Sequence, residues 1–302
     1  KESEEGEKKK KKSLIPSSDL FLADLMTIHR LETKLSILYF LSKFPSLQKD
    51  VNELASTLSS ATSEVRHSKK LFPILHLILE LGKVLNQYSY QRNASGFRLC
   101  TLLKLSEVKM TDRKKTLLHY VVQNVQTKMP RNLLTEEDMP SLQVASTFGM
   151  KDVRTLMRDL GRGFEEIAKE LEWATQEEKE GGKFHEIVRC FVERTAADWE
   201  GLNQKVKKVE SDFEELAKYV GEQSTIDSQE LFSIVHQFHR LFLMTVADLE
   251  RQAKIREKKE IEAEKGLMKT KMEMHKELME KAAELMAGKN GKEEVDSEEG
   301  EQ

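Results

Sequence analysis

An all-α fold is predicted from three features of this 302-residue sequence. Turn formers are scarce, with 14 glycines and 5 prolines, while 33% of residues are charged and 38% hydrophobic. Long exposed helices suit that balance, because Lys, Glu, Arg and Gln are good helix formers. Apolar residues recur three and four apart over most of the chain, and no useful stretch alternates with the period of a strand.

The elements follow in order. Residues 1–17 form a lysine-rich tail closed by Pro16 and are expected to be disordered. Ser17, Ser18 and Asp19 offer capping oxygens to a helix starting near Leu20. Leu22, Leu25, Met26, Ile28, Leu31, Leu35, Leu38 and Leu41 continue at helical spacing to Phe44-Pro45, where the helix is expected to stop. A more polar helix carrying Val51, Leu54, Leu58, Ala61 and Val65 comes next. Residues 70–86 are apolar nearly all round, the pattern of a bundle's central helix. Gln87 to Ser95 reads as an exposed loop, and Gly96-Phe97 opens further helices, broken near Met129-Pro130 and Met139-Pro140. Residues 18–150 are therefore read as a helical head.

Residues 151–222 read as a coiled-coil region. Val188, Phe191, Thr195, Trp199, Leu202, Val206, Val209, Phe213, Leu216 and Val220 alternate spacings of three and four, which is a heptad seam. Gly221 ends it, and Asp227 or Ser228 caps the helices of residues 223–255. Residues 256–288 read as a charged helical extension, and 289–302 as an acidic disordered tail.

Composition narrows the function classes. The 49 basic and 52 acidic residues leave a formal net charge of -3. The one dense basic run, Lys8 to Lys12, is terminal and reads as a solvated tail, so nucleic acid is not an expected partner. Cys100 and Cys190 cannot frame a disulfide scaffold in a chain of this size, which points to a reducing, cytoplasmic compartment. No apolar run has the length of a transmembrane segment. No phosphate loop, nucleophile elbow or pair of catalytic carboxylates is recognisable, and Gly161-Arg162-Gly163 lacks the third glycine of a dinucleotide loop. His236 and His239 share a helical face, but no carboxylate or cysteine completes a metal set. Neither an enzyme, a metal nor a cofactor is expected.

One contiguous block is more specific. Leu79-Glu80-Leu81-Gly82-Lys83-Val84-Leu85-Asn86 is followed by the polar loop and then by Ala94-Ser95-Gly96-Phe97-Arg98-Leu99. Leu102-Leu103-Lys104-Leu105, Lys109-Met110-Thr111-Asp112 and Leu117-Leu118-His119-Tyr120 complete it. In order, spacing and residue type this block resembles the signature of the formin homology two domain, and the likeness covers roughly residues 18–255. Ile28-His29-Arg30-Leu31, Ser68-Lys69-Lys70-Leu71 and Asp212-Phe213-Glu214-Glu215-Leu216 extend it on both sides.

The resemblance implies an actin-binding protein that takes part in filament nucleation and elongation, located at the cytoskeleton. It makes residues 18–150 knob-like and 223–255 post-like, and places Lys109 at the actin-binding surface, with Arg98 and Lys104 extending a basic rim. Gly82, Asn86, Gly96, Phe97 and His119 are its structural signature. Gly82 is read as permitting close helix approach, Gly96 as adopting a conformation closed to other residues, and His119 as a satisfied core or boundary residue. Phe213, Tyr219 and Gly221 lie at the entry to the post-like region and Phe232 within it, where a second formin chain would make contact through a tryptophan-bearing lasso; core packing explains the aromatics about as well. Lys83 and Met110 depart from the family's usual residues. No lasso, linker, first knob segment or proline-rich profilin site is recognisable, so profilin is not expected to bind and isolated activity is expected to be weak. The alternative reading is a coiled-coil scaffold without actin assembly activity.

Overall fold

The heptad seams converge in a three-helix rod. The computed structural model describes residues 16–89, 93–111, 113, 115–176, 182–222 and 226–293; the expectations for the two terminal tails lie largely outside them. After a short helix α1 (Ser17–Met26), α2 (Leu31–Arg66) packs along α7 (Met150–Gln176) and α8 (Lys183–Tyr219). Ser36 donates to Glu166 at 2.9 Å and Phe44, further along α2, packs on Phe164, so α7 runs antiparallel to α2. Lys205 reaches Asn52 at 3.0 Å and Arg66 meets Glu215 at 2.6 Å, so α8 runs parallel to it. Phe40, Phe44, Phe164 and Phe191 interlock at the centre, mostly edge to face, with centroids 5.3–6.3 Å apart. Edge-to-face contacts of this kind add directional stabilisation to the burial of four large rings.

Two expectations for this region fail. The helix does not stop at Phe44-Pro45: α2 continues through Pro45 to Arg66. An internal proline costs about 3 kcal/mol, but Phe44, Val51, Ala55 and Leu58 are all buried on the same helix and offset that cost by packing on the rod. The buried face is also out of phase with the expected one. Ile37, Phe40 and Phe44 face inwards, whereas Leu22, Met26, Ile28, Leu35 and Leu38 are exposed.

The remaining helices form the head. These are α3 (Leu71–Leu85), α4 (Thr101–Lys104), α5 (Leu117–Lys128), a short 3-10 turn (Pro130–Asn132) and α6 (Leu142–Ala145). The first part of α9 (Ser228–Glu293) runs through them and packs on α4, α5 and α6, with Leu231, Phe232, Phe238 and Phe242 buried. Residues 31–66, read from sequence as part of the head, therefore pack mainly with the rod. Head and rod are joined by polar ties: Ser141 donates its N–H and hydroxyl to Glu64, and Met150 N–H donates to Ser228 Oγ at 2.7 Å. Ser228 thus caps α7 from across the fold.

The end of α8 is fixed by Gly221. Its φ of +77° lies in the left-handed region, with Gly221 N–H donating to Lys218 and Glu222 N–H to Ala217, the Schellman arrangement that closes a helix. Beyond Leu249, α9 leaves the body, and residues 250–284 are all exposed. The helix extends to Glu293, past the expected end at 288. Lys269–Glu273 and Lys276–Glu280 pairs at 3.9 Å support it along its length. Among the described residues no helix is long and apolar enough to cross a membrane.

Candidate functional site

Helix α3 is not the central helix its composition suggested. Only Leu71, Ile74 and Ile78 are buried, while Val84 and Leu85 are exposed. Its second apolar face forms one wall of a cavity of about 500 Å³. The other walls come from residues 94–98, from α4 and from Leu105, Val108 and Leu117. An apolar concavity of this size with a few polar groups at its edge has the character of a binding site.

All four of Gly82, Asn86, Gly96 and Phe97 line this cavity, so the signature residues are brought together in one place. The reasons expected for the two glycines do not hold. A Cβ at either position would meet nothing within 4 Å, so Gly82 permits no close helix contact; Gly96 does not have a positive φ. What the missing side chains leave is open space at the cavity wall. Asn86 ends α3, its N–H donating to Gly82 and its carbonyl accepting from Ser89 N–H. Phe97 is half-buried against the core, and the next turn is pinned by Leu99 N–H donating to Glu222 Oε1 at 2.7 Å. The Schellman turn at Gly221 directs Glu222 to that position, which couples the end of α8 to the signature loop.

Cations rim the cavity. Arg98 and Lys104 line it and are exposed; Lys83 also lines it and donates to Glu80 at 2.7 Å. That hydrogen bond holds the Glu80 carboxyl below its ordinary range. Lys109 lies further along, on the connection between α4 and α5. Leu117 N–H donates to Val108, Met110 N–H donates to Lys115, and Lys109 and Thr116 form an isolated antiparallel bridge. Lys109 is exposed and, among the described residues, makes no ion pair within the chain. Asp112 of the sequence motif lies outside the described residues.

His119 supports this connection from beneath. Thr116 N–H and hydroxyl lie 3.3 and 2.7 Å from His119 Nδ1, closing a capping box on α5. With Nδ1 accepting, the proton sits on Nε2, which donates to Asp248 on α9 at 3.2 Å. His119 is therefore half-buried and structural.

The four residues considered for contact with a second chain separate into two groups. Phe213 and Phe232 are buried and pack on each other, centroids 5.8 Å apart, so their rings are core and present no face to a partner. Tyr219 is 59% exposed, resting edge-on against Phe72 of α3, and Gly221 is exposed beside it. Among the described residues no three potential ligands group around a metal position. The cavity combines apolar walls with cations at its rim, an arrangement suited to binding.

The comparisons with known proteins agree with the signature. A family model described as Formin Homology 2 Domain matches residues 1–243. The chain is similar to Formin-like protein 3 of Oryza sativa subsp. japonica, with 30% identity over 255 residues covering 84% of this chain and 21% of that protein. It is similar to Formin-like protein 14 of Arabidopsis thaliana, 30% identical over 254 residues, 84% of this chain and 21% of that protein. Formin-like protein 17 of Arabidopsis thaliana is 30% identical over 258 residues, 84% of this chain and 52% of that protein. The chain thus spans from about a fifth to about half the length of these relatives.

Proposed function

Since the chain belongs to the formin homology 2 family, whose domains bind actin, dimerise and are not enzymes, we propose that it binds actin filaments and their barbed ends. Lys109, with Arg98 and Lys104, carries the cationic contact with actin, and the signature cavity receives an apolar side chain of a second formin chain, the lasso tryptophan. Such a chain works at the cytoskeleton and supports filament nucleation and elongation. The observation that carries this reading is the convergence of Gly82, Asn86, Gly96 and Phe97 on one apolar cavity beside exposed cations. Burial of an indole there would release apolar surface from water, and the cations would select an acidic neighbour surface.

Co-sedimentation with actin filaments tests the actin contact. The wild-type chain is expected to pellet saturably and to release as salt is raised, because exposed charges are screened over about 8–10 Å at 0.1–0.15 M ionic strength. Lys109→Asp is expected to weaken binding roughly tenfold, about 1.4 kcal/mol. Absence of pelleting at low salt, or an unchanged affinity in Lys109→Asp, would reject the assignment.

A further inference from the structure

Three groups meet at the end of the rod farthest from the head. Glu170 on α7 is completely buried, an unusual setting for a carboxylate. Arg30 Nε approaches its Oε2 at 2.9 Å, and His185 Nε2 on α8 lies 3.7 Å from Oε1. The Arg30 guanidinium also sits 4.7 Å from the centroid of Trp173, and the His29 ring packs 5.3 Å from the same indole. Arg30 does this from a left-handed backbone conformation, φ 54° and ψ 41°, immediately before α2. Non-glycine residues adopt that conformation uncommonly and at a cost.

Helix α1, on the other side of this point, has nothing comparable. Among the described residues from 16 to 30 none is buried, so side-chain packing does not set the direction of α1. The helix is closed by Thr27 and Ile28, whose N–H groups donate to Asp24 and Leu25, and α2 starts with Lys34 N–H donating to Arg30. Rotation between two stiff helices is therefore confined to His29 and Arg30. We propose that these two residues are a hinge and that the Arg30–Glu170 pair is its latch, fixing the angle at which α1 leaves the rod. The latch is close but not rigidly aligned: among the described residues neither Glu170 oxygen nor Arg30 Nε has a well-directed hydrogen bond. Release leaves Glu170 with His185 Nε2 as its remaining polar neighbour, 3.7 Å from Oε1, and gives the hinge an open state. Exposed apolar residues lie on both arms, Phe21 and Met26 on α1 and Leu35 and Tyr39 on α2, so the angle sets the shape of the surface a partner meets.

The test is a distance measurement by pulsed electron spin resonance on the full chain. Cys100 and Cys190 are first replaced by Ser, and spin labels are placed at Ala23→Cys on α1 and Glu172→Cys on α7. Otherwise wild-type protein is expected to give one narrow distance distribution. Glu170→Gln and Arg30→Ala are each expected to broaden it or to add a second population above roughly a tenth. A rod-only pair, Glu172→Cys with Lys208→Cys, is expected to stay unchanged and distinguishes hinge release from loss of the rod. Should Glu170→Gln disturb that control, Arg30→Ala decides alone, because Arg30 is only half-buried. An unchanged distribution in the variants, or one already as broad before substitution, would overturn the latch.

Discussion

Gly163→Ala destabilises the rod, whereas Gly161→Ala, two residues earlier in the same helix, stabilises it. Both glycines lie inside α7, where glycine is about 1 kcal/mol worse than alanine, so helix propensity alone predicts a gain at each position. A Cβ at Gly161 meets nothing within 4 Å and keeps that gain. A Cβ at Gly163 would lie within 2.6 Å of Phe40 Cζ and inside the envelope of that ring. The ring has little room to retreat, because Phe44, Phe164 and Phe191 pack around it. Overpacking of this kind typically costs 1–3 kcal/mol, so the net expected loss at Gly163 is up to about 2 kcal/mol after the propensity gain. Thermal melts of the two variants check this; equal shifts of the same sign would contradict the packing of the aromatic cluster.

Gly82→Leu is expected to weaken docking of a lasso peptide in the signature cavity without weakening the fold. The position is helical, its missing side chain opens on free space, and it lines the cavity wall. Leucine gains roughly 0.8 kcal/mol of helix propensity over glycine and places a branched side chain in the cavity proposed to receive another chain. Obstruction of that kind is worth about 1–3 kcal/mol, a loss of roughly fivefold to 150-fold in affinity. Fluorescence anisotropy of a labelled tryptophan-bearing peptide of the formin lasso type reads this directly, with a thermal melt as the control for folding. Binding that survives Gly82→Leu would place the lasso elsewhere.

Much of the fold was legible in the sequence, for a physical reason. The heptad seam of α8 depends on local spacing, and Val188, Phe191, Leu202, Val206, Val209 and Leu216 are all buried as the spacing requires. The block from Leu79 to Tyr120 was legible as a family signature for the same reason: its parts are close together in the chain. What periodicity did not carry was the identity of the partner surface. The stripe through Leu22, Met26, Leu35 and Leu38 has helical spacing but no covering surface among the described residues, while the inward face uses Ile37, Phe40 and Phe44. Pro45 looked like a terminator because its own preference is local, and the packing that overrides it comes from residues more than a hundred positions later.

The candidate site shows the same division. Helix α3 is apolar nearly all round because one face enters the core and the other lines a cavity, two environments that hydrophobicity does not distinguish. The signature glycines looked architectural, yet their role depends on what surrounds them, and open space leaves no mark on a sequence. Gly163 and Glu170 carried no warning at all: the tight fit of one and the buried charge of the other arise where α2 crosses α7.

Methyl-resolved NMR of the isoleucine-, leucine- and valine-labelled chain during titration with the lasso peptide tests the role of the cavity most directly. Shifts concentrated at Ile78, Leu85, Val108 and Leu117, saturating with one peptide per chain, are the predicted result. No shifts at those methyl groups, or shifts confined to the outer face of the rod, would contradict it.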